Sequence, residues 1–348
     1  VEEDCLNAYG GAGVAYARDA FDGLNLMNTI MDGDFDSHVQ EQSRKREGRP
    51  SSRKKIGEPA TPAERPVDFE EITTRRNELN AGIEAPEPPF WGARWLEEID
   101  PRAVVPYLNE TMLFQFQWGF RKAGKSRAEY LDWAQKEVRP ILHGVLDKVM
   151  AENILTPKAA YGYWPAAAEK NDLIVFDPVD PEREVTRFTL PRQSREGGLC
   201  IADFYPEVSS GQRDVLGMQV VTMGTRASDV AQEWFQADRY QDYLYLHGLS
   251  VEMAEALAEF IHTRIRAELG YAAEDARDMH ALLKQGYRGS RYSFGYPACP
   301  NLADQEPLLK LLDAERIGIE LSDEWQLHPE QSTSAIVVTH PQAKYFSV

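Results

Sequence analysis

In the middle of this chain strand-like stretches follow one another directly, and that ordering restricts the fold more than any single motif. "DLIVFD" (172–177), "VTRFTL" (185–190) and "VLGMQVVTMG" (215–224) are rich in β-branched and apolar residues, and clusters of Pro, Gly and Asp separate them. They do not alternate with helices, so the long crossovers that parallel neighbours need have no chain to run through. A closing strand pair is expected at "SAIVVTH" (334–340) and "KYFSV" (344–348). The fold class that follows is α+β: a single large domain with a mainly antiparallel, twisted sheet flanked by long helices.

Two stretches supply those helices. Apolar periodicity predicts one over 128–153, kinked at Pro140, and nearly continuous helix from Ala227 to Gly270 with Ser228 as its cap. Ahead of them, "EAPEPPFWGARW" (84–95) reads as a Pro- and aromatic-rich loop, and "DPRAVVPYLNETMLFQFQWGF" (100–120) as short helices.

The first 66 residues have a different character. Val14 to Ala17 reads as a short strand, followed by a turn near Asp19 and a helix carrying Phe21, Leu24, Met27 and Met31. That is half of a βα unit, too small to stand alone, and the chain reads as a piece of something longer. From residue 33 to 66 the composition turns polar, and "SRKREGRPSSRKK" (43–55) carries seven basic residues against one Glu. Such blocks repel and extend. The expected organisation is thus a short module over 1–32, a charged linker over 33–66 and a folded domain over 67–348.

Composition removes several function classes. A net charge of −18 argues against a general nucleic-acid binder, which needs a surplus of clustered Lys and Arg. No apolar run approaches the roughly 20 residues of a membrane span, so no membrane association is expected. Cys5, Cys200 and Cys299 are too few and too widely spaced for a disulfide framework or a zinc site, which points to a reducing, cytoplasmic compartment. The seven His are scattered without an HExxH, and His262 reads as an ordinary helix residue. Cys299 has no basic neighbour and reads as packed. "AYGGAG" (8–13) precedes a strand, the wrong side for a dinucleotide-binding turn.

What remains is "RYSFGYPACP" (291–300), preceded by Gly286 and Gly289. Glycines supply turns and Pro297 and Pro300 fix backbone angles, so this reads as a pre-organised loop presenting Arg291. A guanidinium fork matches a carboxylate, and aromatics beside it can stack a purine or cover an apolar ligand. The competing reading ties Arg291 to a helix end and packs the aromatics inward.

"RxxxGYPACP" after "YxG" (287–289), with "LCIADF" (199–204) and the closing "THPQAKYFSV", resembles the C-terminal activation domain of cobalamin-dependent methionine synthases. The likeness covers most of 67–348. Residues 1–32 then resemble the tail of the preceding cobalamin-binding domain, a βα remnant of its flavodoxin-like sheet.

The resemblance implies a domain that binds S-adenosylmethionine and swings over the corrin when the cobalamin has been oxidised to Co(II). Flavodoxin or another reductase supplies an electron, and Co(I) takes the methyl group. The implied partner is the enzyme's own cobalamin-binding domain. The cobalt-ligating histidine belongs upstream of Val1, and zinc belongs only to a homocysteine domain outside this chain.

The resemblance also assigns roles to residues. Arg291 faces the methionyl carboxylate, Tyr296 shares its loop, Ser293 holds the adenosine through its backbone and Glu255 lies near the ammonium. Val337 and Val338 contact the ligand from the last strand, and Ala20 lies beside the cobalamin nucleotide tail. Asn109 stands where some members carry an aspartate, Gln285 replaces an acidic residue and Val337 an aromatic one. Those departures leave open an interaction-only cap that has lost its small ligand.

Overall fold

The computed structural model describes residues 68–195 and 197–348 and, before them, only Leu26, Thr29, Ile30, Met31, Phe35 and Val39, all six helical. The chain divides into two compact units, Val1–Val67 and Asp68–Val348. The expected strand at 14–17, Ala20 and the basic block at 43–55 lie outside the described residues.

The second unit is built on a seven-stranded sheet. Its strands are β1 (Gly92–Leu96), β2 (Lys158–Glu169), β3 (Asp172–Phe176), β4 (Glu184–Thr189), β5 (Asp214–Thr222), β6 (Ser290–Ser293) and β9 (Ser332–Val338). A separate small ribbon pairs β7 (Glu320–Leu321) with β8 (Leu327–His328). The order across the main sheet is β4-β3-β2-β5-β9-β6, with β1 also on β2. Every one of these pairings is antiparallel, so the α+β expectation holds.

β3, β4 and β5 fall where their β-branched runs predict them. β2 does not announce itself, because Gly162 and Pro165 read as breakers in an alanine-rich run, and β1 lies in the Pro- and aromatic-rich stretch expected to be a loop. The register explains why Pro165 is tolerated. On one side of β2, β1 pairs with residues 159–163 and β3 with 166–169, so the missing N–H falls in the gap between them. Gly162 is required where it stands, since a Cβ there would lie 2.0 Å from the Gly92 carbonyl oxygen.

In the second unit, among the described residues, helices of eight or more residues are α1 (Phe69–Asn80), α2 (Arg139–Ala151), α3 (Thr225–Gln236), α4 (Tyr240–Glu268) and α5 (Gln305–Leu312). The long helix expected over 128–153 is interrupted: a π-helical turn at Ala134–Val138 separates Arg127–Trp133 from α2, and Pro140 sits at the start of α2. The stretch from Ala227 to Gly270 is two helices. α3 begins at Thr225 behind Gly224, so Ser228 lies within it and is no cap; its hydroxyl donates to Gln331 Oε1 at 2.6 Å.

Two apolar layers cover the sheet. α4 runs along one face and buries Leu249, Met253, Leu257, Ile261 and Ile265 with Tyr161, Tyr163, Val221 and Val337. The other face packs Ile201, Phe204, α5 residues Leu308 and Leu312, and Ile336. The C-terminal residues 344–348 form no strand, contrary to expectation. β9 already has β5 on one edge and β6 on the other, so no edge is left for a hairpin partner. Among the described residues no helix is long and apolar enough to cross a membrane.

"LCIADF" turns out to be a structural knot that anchors α1. Asp203 accepts from Arg192 Nη1 and Nη2 at 2.5 and 2.6 Å, from Arg76 Nη2 at 3.2 Å and from the Cys200 backbone N–H at 3.0 Å. Arg76, on α1, also pairs with Glu207. His340, in the closing segment, bonds the Leu79 carbonyl at 3.1 Å and lies against Phe204.

Candidate functional site

α4 is apolar around most of its circumference, yet Glu252, Glu255, Glu259, His262 and Arg266 recur at spacings of three and four and so share one stripe. The helix is held in register at its C-terminal end, where Glu268 accepts from the hydroxyls of Tyr161 and Tyr163 at 2.9 and 2.8 Å. The stripe faces the end of the sheet where β6 lies.

β6 carries Arg291, so the arginine stands on an edge strand and not on a loop as its sequence suggests. Ser290 and Tyr292 are buried, while Arg291 and Ser293 alternate to the other face. Arg291 is paired across to Val337, whose side chain belongs to the α4 layer, which sends the guanidinium toward α4. Nη1 approaches Glu259 Oε2 at 3.5 Å and Nη2 approaches Glu255 Oε2 at 3.4 Å. Both contacts are at the long limit of hydrogen bonding.

The two carboxylates differ in kind. Glu259 is 6% exposed; burial pushes its carboxyl upward, opposed by Arg291 and Arg266. Glu255 has a side chain 48% exposed. One turn earlier Glu252 is buried with Gln117 Nε2 donating to it at 3.1 Å, and its carboxyl is raised by burial and by nearby Glu255.

Beyond Arg291 the chain turns tightly. Gly295 N–H donates to the Cys299 carbonyl and Cys299 N–H to the Tyr296 carbonyl, both at 3.0 Å, and the Cys299 thiol donates to the Ser293 carbonyl at 2.8 Å. Burial pushes that thiol up to about 12, so Cys299 is packed and unreactive, as its sequence context predicts. The turn leaves Tyr296 56% exposed. Burial raises its hydroxyl, as do Glu255 and then Tyr345, which places it among the same groups.

The structure therefore brings Arg291, Glu255 and Tyr296 together, with Ser293 beside Arg291 on the strand. Val337 and Val338 are each 1% exposed, packed into opposite layers. Asn109 caps the turn Glu110–Met112 by accepting from Met112 N–H at 3.3 Å. Among the described residues no hydrogen bond or ion pair joins it to Arg291 or Glu255. Its segment nonetheless flanks α4, since the Tyr107 ring meets Phe260 and Gln117 meets Glu252.

Of the α4 stripe the sequence reading names only Glu255 as a site residue; Glu252, Glu259 and Arg266 go unnoticed and His262 is set aside, although their spacing on an apolar helix is the available signal. Tyr345 goes unnoticed too, held by Gln285, whose Oε1 accepts the Tyr345 backbone N–H at 3.2 Å. A neutral amide serves that contact as well as a carboxylate could. His262 is no ordinary helix residue: it is fully buried, edge-on to Tyr287 at 4.9 Å, and neither ring nitrogen has a hydrogen-bond partner. Among the described residues no group of three or more His, Cys, Asp or Glu could hold a metal ion. A hollow of about 500 Å³ beside α5, lined by Glu306, Asp313, Glu315, Glu320 and Lys310 among others, belongs to the other layer.

Residues 102–348 match the family described as vitamin B12 dependent methionine synthase, activation domain. The chain belongs to that family. It is 43% identical over 371 residues to methionine synthase of Mycobacterium tuberculosis and 41% identical over 374 residues to that of Mycobacterium leprae. All of this chain is covered in both alignments, but only 31% of either relative, so the chain spans about a third of their length. Among solved structures it resembles the crystal structure of the MetH reactivation domain bound to AdoHcy. That match has a TM-score of 0.68 and 26% identity, covering 76% of this chain and 83% of the other.

Proposed function

We propose that this chain is the reactivation module of a cobalamin-dependent methionine synthase, binding S-adenosylmethionine at the Arg291 cluster. The observation that carries the reading is the uneven seating of Arg291: Nη1 meets a buried carboxylate, while Nη2 meets one that stands half in solvent. A ligand carboxylate can replace Glu255 at Nη2, and Glu255 is then free to meet the ligand's ammonium. Tyr296 offers an exposed ring beside them for the nucleoside. The charges suit the ligand. Ammonium, sulfonium and carboxylate leave it one positive charge, and the half-exposed Glu255 carboxylate is placed to face it.

When bound, the sulfonium supplies an activated methyl group, so the residues here need only position it. Their task is to orient the amino-acid end and hold the nucleoside while the cobalamin-binding domain, the proposed partner, is presented. Flavodoxin or another reductase is the proposed electron donor. Cys200 and Cys299 are free and buried, in keeping with a cytoplasmic setting.

The alternative is a cap that touches the corrin domain without a small ligand. In its favour, both Arg291 amines already face carboxylates and the Asn109 side-chain oxygen is committed to a helix cap. Titration calorimetry of the full chain with S-adenosylmethionine separates the two. The binding reading expects saturable heat, and a loss of about 10- to 150-fold in affinity for Arg291→Ala, the value of one or more charge-assisted contacts. Absence of heat in the wild type would leave the cap as the surviving reading.

A further inference from the structure

Glu259 is the most enclosed carboxylate in contact with Arg291, and a chain of fixed groups holds it from behind. Its Oε1 accepts from Arg266 Nη1 at 3.3 Å and its Oε2 from the Tyr287 hydroxyl at 3.4 Å. Arg266 is itself locked. Asp275 takes its Nε at 2.8 Å and Nη2 at 2.9 Å, Thr263 Oγ1 accepts at 3.0 Å, and the guanidinium lies 3.9 Å over the Tyr287 ring. His262 meets that ring edge-on at 4.9 Å, neutral because burial and then the nearby arginines hold its pKa well down. None of Glu259, Arg266 and His262 is more than 6% exposed.

Arg291 has long rotatable reach and a 17% exposed side chain, and its two terminal nitrogens face different neighbours. The inner one meets Glu259, which is buried and held by Arg266 and Tyr287; the outer one meets Glu255, whose side chain is half exposed. If only Glu255 were present, the guanidinium could follow it into solvent and the fork would have no fixed direction.

We propose that Glu259 is a positioning residue: by holding Nη1 of Arg291 it leaves Nη2 aimed outward as the exchangeable half of the fork that receives the ligand's carboxylate. This rests on the reading of Arg291 given above. Glu259 touches no ligand; it removes orientational freedom that the arginine would otherwise lose on binding. The consequence is selective, because only ligands that carry a carboxylate use the fork.

The test compares S-adenosylmethionine with decarboxylated S-adenosylmethionine, which keeps the ammonium and sulfonium, by calorimetry on the full chain. Glu259→Gln keeps the shape and removes the charge. It should weaken S-adenosylmethionine about tenfold and leave the decarboxylated ligand within about twofold of wild type. Glu259→Asp, which keeps the charge, should fall between Gln and wild type. Should Glu259→Gln not fold, Tyr287→Phe removes a single contact to Glu259 and should weaken only the carboxylate-bearing ligand, about two- to threefold.

Equal weakening of both ligands, or wild-type affinity for S-adenosylmethionine in Glu259→Gln and Tyr287→Phe, overturns the positioning role. Arg291→Ala in parallel keeps the two ideas apart. If it also leaves S-adenosylmethionine unaffected, the assignment of Arg291 fails; if it alone weakens binding, only the role of Glu259 fails.

Discussion

Replacing Asp203 with alanine should test whether the ion-pair knot beneath α1 holds the second unit together. The side chains of Arg76, Asp203 and Arg192 are 0, 6 and 11% exposed, so solvent cannot heal a break. Asp203 is the shared acceptor of both arginines, and its own backbone carbonyl takes Asn80 Nδ2 at 2.9 Å. Without it, Arg192 keeps only Asn171 Oδ1 and the Gly198 carbonyl, both at 2.9 Å, and Arg76 keeps Glu207 and the Lys170 carbonyl. Arg192 would then face no carboxylate at all, and Arg76 would keep one.

Removing one partner from a buried pair costs about 3–5 kcal/mol, mostly because the remaining charge stays desolvated. At roughly 2 °C per kcal/mol for a unit of this length, the melting temperature should fall by about 6–10 °C. Differential scanning calorimetry at pH 7, repeated at about 0.5 M salt, gives the measurement, and the drop should persist because buried pairs are weakly screened. Asp132→Ala is the control: its pair with Lys136 is about two-thirds exposed on both sides and should be worth under about 0.5 kcal/mol. A shift below about 2 °C for Asp203→Ala, or one abolished by salt, would refute the reasoning.

Three further outcomes follow from the same geometry. Gly289→Ala places a Cβ 2.3 Å from the Val338 carbonyl oxygen at a φ of +82°, next to the start of β6; it should cost more than about 2 kcal/mol in urea unfolding and weaken S-adenosylmethionine binding with it. His262 has a folded pKa below its unfolded value, so its contribution is complete above about pH 6.5 and is lost as pH falls; His262→Phe should flatten the decline in unfolding free energy between pH 7.5 and 5.5. His340 has the same sign and should keep the slope from vanishing. Asp214 runs the other way: burial raises it to about 6, so stability is lost as pH rises through that value, and Asp214→Asn should gain on wild type by on the order of 2–3 kcal/mol between pH 4 and 8.

How much of this was legible depended on whether a residue's partner was local. β3, β4, β5 and β9 announce themselves because β-branched runs need only their own pleat. β2 could not, since Pro165 is acceptable only at a gap between two other strands, a fact that lives in the register. Residues 344–348 alternate like a strand but serve as a clamp: Lys344 Nζ donates to the Gln285 carbonyl at 3.1 Å and also to that of Tyr287, and the Tyr292 hydroxyl donates to the Lys344 carbonyl at 2.9 Å. Arg291 and Tyr296 are singled out by the loop motif, and Glu255 by the family resemblance alone. Glu259 and Arg266 were hidden because charged residues on a helix ordinarily read as a solvated face, and only the contacts that Asp275, Tyr287 and Arg291 make with them show that this face is closed.

That closure explains why a short edge strand is a suitable place for a binding arginine. A loop would set the guanidinium's direction through local turns alone. β6 sets it through pairing with β9, whose Val337 packs under α4, so the Cα of Arg291 is fixed by the same core that fixes Glu259. Backbone and inner carboxylate then hold one end of the side chain in a common frame, and the entropy cost of ordering it is met during folding instead of during binding. The outer carboxylate, Glu255, sits one helical turn away on the same stripe and outside that frame. An anion that displaces it disturbs a single half-exposed pair of 3.4 Å and leaves the buried network untouched. Affinity for a carboxylate-bearing ligand should accordingly respond to changes in Glu259 and at Gly289, which precedes the β6–β9 pairing, while Glu255 should matter chiefly through the ligand's ammonium.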